Sequence, residues 1–117
     1  MIIDLLKSRL LSDLQALNID TKGFKLTLKP FSKTYYGRYN PNTKEVTVFV
    51  YEDDNQTNLY PYEKIFSTAL HESVHHMQWS RPDFKRVKGV MHNAEFYLMY
   101  NRLMRKHKIY RTFKRRC

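Results

Sequence analysis

His71, Glu72 and His75 stand in the order His71-Glu72-Ser73-Val74-His75, an HExxH run whose spacing suits a metal ion. On a helix of about 3.6 residues per turn, side chains four apart lie one above the other, so both imidazoles reach the same ion. Glu72 leans over the same side, where a carboxylate can take a proton from a water that the metal activates. The chemistry in prospect is hydrolysis, with Zn2+ as cofactor and Glu72 as catalytic base.

Two histidines leave such a site incomplete, because a catalytic zinc site takes three protein ligands and keeps one position open for water. Cys117 is the single cysteine, which excludes a disulfide within the chain and a cysteine-based zinc ribbon. The third ligand must then come from His76, His92, Glu95 or His107. His76 follows His75 by one residue and points about 100° away on a helix, so it reads as a supporting or surface histidine. His92 comes after a connection long enough to turn the chain back, at the start of the last helix. Glu95, in the first turn of that helix, is the alternative third ligand, although a carboxylate there is also ordinary capping chemistry. His107 reads as a surface residue of a basic helix.

The elements that must hold these groups are legible in outline. Ile2, Ile3, Leu5, Leu6, Leu10, Leu14 and Leu17 recur at helical spacing, and Asn18 with Gly23 closes that pattern. Residues 24–29 alternate as a strand that Pro30 stops. Residues 35–39 and 44–51 flank the turn-rich Asn40-Pro41-Asn42-Thr43 and read as a hairpin. Pro61 suits the first turn of a helix in which Ile65, Phe66, Ala69, Leu70, Val74 and Met77 form an apolar stripe beside His71 and His75. Pro82 ends that helix by Ser80 or Arg81. Residues 81–90 make a basic connection with a bend at Gly89. A last helix starts near His92 or Asn93 and carries Phe96, Tyr97, Met99, Tyr100, Leu103 and Met104.

The chain of 117 residues is expected to form one domain, 1–117, with a basic C-terminal tail from about residue 105. With 42% hydrophobic residues, only 3 Gly and 4 Pro, and no apolar run long enough to span a bilayer, the composition is that of a globular chain. Charges at Asp4, Lys7, Arg9 and Asp13 exclude a secretory leader or membrane helix in residues 1–17, so a cytoplasmic location is expected. The net charge of +10 gathers late: residues 102–116 contain eight Lys and Arg and no acid. Such a run suits a polyanion such as nucleic acid, with Tyr110 and Phe113 available for stacking, and equally suits a solvated basic tail.

His71-Glu72-Ser73-Val74-His75 followed by His92-Asn93-Ala94-Glu95-Phe96 resembles the SprT-like (Spartan) zinc metallopeptidase domain, whose pattern is HExxH, a short connection and an HGPEF-like motif. The likeness extends to the Tyr36-Gly37-Arg38-Tyr39 and Val46-Thr47-Val48-Phe49 hairpin and to Trp79, and covers roughly residues 24–104. Asn93 stands where that family usually has Gly, and no cysteine-rich ribbon follows the core. The resemblance implies an α+β, minimal zincin-like domain: an N-terminal helix, a small three-stranded antiparallel sheet, the HExxH helix and a C-terminal helix. It implies His71, His75 and His92 as zinc ligands, Glu72 as base, and protein as the substrate.

The activity expected is therefore zinc-dependent amide hydrolysis on, or near, nucleic-acid-bound proteins, with substrate added as a strand to the exposed edge of residues 44–51. The rival expectation is a non-catalytic, zinc-stabilised module that binds nucleic acid through its last helix and tail.

Overall fold

Asn18 sits at φ 62, and this left-handed residue is what ends the first helix, α1 (Ile2–Ala16). Ile19 N–H donates to Leu14 C=O at 3.2 Å and Asn18 N–H to Gln15 C=O at 2.9 Å, the paired bonds of a Schellman close, with Leu14 and Ile19 both buried. The computed structural model describes residues 2–81 and 92–116, with side chains as far as Arg111. Leu10 and Leu14 of α1, and Leu17 just after it, are buried, whereas Ile2 and Leu5 remain exposed.

Three short strands follow: β1 (Lys25–Lys29), β2 (Gly37–Asn40) and β3 (Glu45–Phe49). The β2–β3 pair is the expected antiparallel hairpin. Asn40 Oδ1 accepts from Asn42 N–H at 2.9 Å inside its turn, and Lys44 takes the left-handed φ of 55 that turns the chain into β3. The sheet as a whole corrects the antiparallel expectation. Its order is β1-β3-β2, with β1 parallel to β3, so the sheet is mixed. Alternation in sequence fixes which face a side chain takes and says nothing of strand direction.

The same order corrects the expected substrate edge. β3 is the central strand, paired on both sides and buried from Val46 to Phe49, which leaves β1 and β2 as the edges.

The long helix α2 (Tyr62–Ser80) crosses the sheet against β3 and β2. Pro61 stands just before its first turn, and Arg81 leaves the helix in an extended conformation, as a residue preceding proline is pressed to do. The last helix, α3 (Ala94–Arg116), packs on α2. Asn93 caps it, its Oδ1 accepting from Phe96 N–H at 2.9 Å, so the cap falls on Asn93 rather than Glu95. The basic segment expected as a tail continues as helix to Arg116. The connection with its bend at Gly89 lies outside the described residues.

One apolar cluster joins these layers: Leu10 and Leu14 of α1, Val46 and Val48 of β3, Ile65, Phe66, Leu70 and Val74 of α2, and Phe96 and Leu103 of α3. Arg9 lies over the Tyr62 ring, whose hydroxyl donates to the buried Asp13 at 2.5 Å, and Arg111 pairs with Glu63, tying α1 and α3 to the start of α2.

Candidate metal centre

α2 presents His71 and His75 one turn apart, and the Asn93 cap sets His92 over them at the start of α3. Nε2 of His92 lies 3.0 Å from Nε2 of His71 and 3.1 Å from Nε2 of His75. The ligand atoms of the three all fall within 4.8 Å of one another. An ion held tetrahedrally at about 2.0–2.1 Å spaces its nitrogen ligands roughly 3.3 Å apart, so the trio fits a metal.

The hydrogen-bond inventory supports the same conclusion. His75 Nδ1 is 2.7 Å from Gln78 Oε1, an acceptor only, so Nδ1 carries the hydrogen and a neutral His75 turns a bare lone pair toward His92. One hydrogen on His92 Nε2 cannot satisfy two short nitrogen contacts in different directions, whereas a cation among the three satisfies all of them. Gln78 thus fixes the tautomer of His75, as outer partners do for histidines that bind metals. Sequence reasoning missed Gln78, although its place three residues after His75 on the same helix was the signal.

Phe96, fully buried, forms the wall behind the imidazoles, with its ring centroid 4.8 Å from that of His71, 4.5 Å from His75 and 5.0 Å from His92. Burial, reinforced by the neighbouring His75 and His92 and by Lys64, lowers the His71 pKa to about 4. Burial likewise lowers that of His75, partly offset by its bond to Gln78. Both rings are therefore neutral at pH 7, the form that donates a lone pair to a metal.

Glu72 is 8% exposed, and burial raises its pKa to about 7. A carboxyl group poised there exchanges protons readily near neutrality, and a cation beside it favours the ionised form. Gly37 of β2 lets the sheet come close to it. A Cβ at Gly37 would stand 2.6 Å from Thr68 Cγ2, 2.8 Å from Thr47 O and 3.4 Å from Glu72 Cγ. His71 and Glu72 open into a cleft of about 370 Å³ whose other walls include Tyr36 and Gly37, Lys64 and Ser67 of α2, and Tyr100 of α3.

The remaining candidates lie elsewhere. Glu95 is outside the histidine group and lines a groove of about 620 Å³ with Arg102 and Arg105 of α3 and Arg81 at the end of α2. His76 is buried away from the trio, its Nδ1 2.7 Å from the Tyr39 hydroxyl, with the Phe24 and Tyr39 rings set edge-on to it. It pins α2 to β2. His107 corrects the surface expectation: it is 0% exposed, stacked on Phe66 with centroids 3.8 Å apart, and among the described residues neither ring nitrogen has a hydrogen-bond partner. Trp79 is half exposed.

Comparison with protein-family models, with curated proteins and with solved structures gives no match. No helix among the described residues is long and apolar enough to cross a membrane. The class that fold and site define is thus a mixed α+β domain with a three-histidine group able to hold a metal ion.

Proposed function

We propose that this chain is a zinc-dependent peptidase with His71, His75 and His92 as ligands and Glu72 as general base. The observation that carries the reading is the convergence of three Nε2 atoms beside a buried glutamate that opens into a cleft. The likeness of the two motifs to the SprT-like domain, carried by the same residues, agrees with it.

A zinc ion held there supplies a Lewis acid that acidifies water and polarises a carbonyl. The chain's own residues do the rest. Glu72 accepts the proton of the attacking water and returns it to the leaving amine. Gln78 holds His75 in its binding tautomer, and Phe96 excludes water from the back of the imidazoles.

The free edge of β2 supplies the place for substrate. Phe49 N–H donates to Tyr36 C=O at 2.9 Å, and in an antiparallel pair such inward residues alternate with outward ones. Gly37 and Tyr39 therefore turn their N–H and C=O groups to the open edge, where an extended peptide can add as a strand beside Glu72.

The test is Glu72→Gln, an isosteric change that keeps the fold and the metal and removes the base. Cleavage of an unfolded protein substrate is expected to fall by at least about a hundredfold. Cleavage at the parent rate would exclude this mechanism.

The groove lined by Arg81, Arg102 and Arg105 favours a second element, contact with the phosphates of nucleic acid. It is compatible with the peptidase and with the non-catalytic binding module alike. Loss of nucleic-acid retention in Arg102→Ala/Arg105→Ala, steeply dependent on salt, is the expected result.

A further inference from the structure

The cleft beside His71 has a second chemical character upstream of the histidines, where it offers donors. Lys64 lies two helical turns before His71 and lines the same cleft as Ser67, Tyr100 and Tyr36. Its Nζ is 3.8 Å from the centroid of the Tyr36 ring, a cation–π seat that holds the ammonium at the cleft mouth. The Tyr35 ring beside it carries a second cation, the guanidinium of Arg38 at 5.5 Å.

The carboxylate next to Lys64 in sequence is engaged: Glu63 pairs with Arg111 on α3. Glu52 lies near Tyr60, whose ring meets that of Tyr36 at 5.5 Å, and forms no ion pair with Lys64. Among the described residues no carboxylate pairs with Lys64, and Glu72 is the one carboxyl lining the cleft. The hydroxyls add to the donor set. Ser67 Oγ donates to Lys64 C=O at 3.1 Å, and the Tyr100 hydroxyl lines the same cleft, where it can turn its hydrogen to an incoming acceptor.

We propose that Lys64, with the Tyr100 and Ser67 hydroxyls, forms a subsite for an acidic side chain, the carboxylate of an Asp or Glu in an extended peptide. This deepens the peptidase reading by naming the substrate class and rests on that reading for the placement of the scissile bond. Seven helical residues separate Lys64 from His71, about 10 Å at about 1.5 Å per residue. An extended peptide advances roughly 3.3 Å per residue, so the acid falls within about three residues of the scissile bond, on the Tyr35–Tyr36 side.

The experiment uses zinc-loaded Glu72→Gln, which binds without cleaving, and a set of neutral Gly/Ser/Ala octapeptides in which a single Glu is moved through every position, each with its Gln counterpart. The readout is affinity by calorimetry, together with the cleavage of the same peptides by the parent protein. Glu at one or two adjacent positions is expected to strengthen binding roughly fivefold at low salt. That preference should disappear in Glu72→Gln/Lys64→Ala and invert in Glu72→Gln/Lys64→Glu, while zinc content stays at the parent value.

Glu and Gln peptides that bind alike, or a preference indifferent to Lys64, would overturn the subsite even if both peptides were cleaved. A Lys64-dependent preference without cleavage of any peptide by the parent would uphold the subsite and overturn the peptidase reading. Absence of both binding and cleavage would overturn the two together.

Discussion

His107 is a weakness of the fold in energetic terms, because it is buried completely and, among the described residues, finds a partner for neither ring nitrogen. A buried donor or acceptor left unmade costs about 1–3 kcal/mol. Two such atoms put the gross penalty at about 2–6 kcal/mol, on the same scale. His107→Phe removes both polar atoms and keeps a planar ring against Phe66, where the rings already stack at 3.8 Å with an 18° tilt. The slightly larger ring costs about 1–2 kcal/mol in overpacking, so a net gain of about 0–5 kcal/mol follows, centred on about 2.5 kcal/mol. With an unfolding entropy of about 2.1 cal/mol/K per residue, a chain of 117 residues shifts its melting temperature by about 4 °C per kcal/mol, giving a rise centred on about 10 °C.

The change also has a pH signature. Burial lowers the pKa of His107, with Asp13 opposing and Arg9 adding to the effect, so the unfolded chain binds a proton that the folded chain resists. The parent therefore loses stability through this residue as pH falls below about 6.5, and His107→Phe loses less. Differential scanning calorimetry of the metal-free proteins at pH 7.5 and pH 5.5 reads both effects. A melting temperature below the parent's at pH 7.5, with an unchanged pH dependence, would refute the account of His107 as an unsatisfied core residue.

Three further outcomes are expected. Gln78→Leu frees the tautomer of His75 and should weaken zinc binding about 10–100-fold in competition with a chromophoric chelator; unchanged affinity would remove Gln78 from the site. Gly37→Ala places a methyl group against Thr68 and the Thr47 carbonyl, so β2 must shift, lowering stability by about 1–3 kcal/mol in denaturant titration and slowing cleavage with it. An unchanged midpoint and rate would show that the close approach of β2 to Glu72 does not matter. Stripping the metal from a protein held at about a thousand times its zinc dissociation constant should remove about 4 kcal/mol, or roughly 15 °C in melting temperature. A melting temperature indifferent to chelator would exclude a metal bound by the folded chain.

Much of this architecture was legible because particular residues punctuate the chain. Asn18, Pro61 and Pro82 mark helix ends through backbone constraints that act locally, and Asn40 to Thr43 announce a turn for the same reason. The pairing of His71 with His75 follows from helical geometry alone. Strand direction in the sheet was not legible, because β1 meets β3 only through tertiary packing. The run Val46-Thr47-Val48-Phe49 of β3, apolar but for Thr47 and buried throughout, nevertheless signalled a central strand rather than an edge. His107 was misread from its basic neighbours. Its spacing from Phe96, Tyr100 and Leu103 sets it on the one stripe of α3 that faces α2, and that periodicity outweighs local charge. Lys64 and Tyr100 gave no local signal, since they meet only across the α2–α3 cleft.

The central claim is that one zinc, held by His71, His75 and His92, enables Glu72 to hydrolyse peptide bonds. It is tested most directly by adding zinc stepwise to the metal-free protein and following cleavage of an unfolded protein substrate, beside Glu72→Gln. Cleavage that rises to a plateau at one zinc per chain in the parent, with Glu72→Gln taking up the same zinc and remaining silent, is the result predicted. Cleavage that persists in excess chelator, or a Glu72→Gln protein as active as the parent, would contradict it.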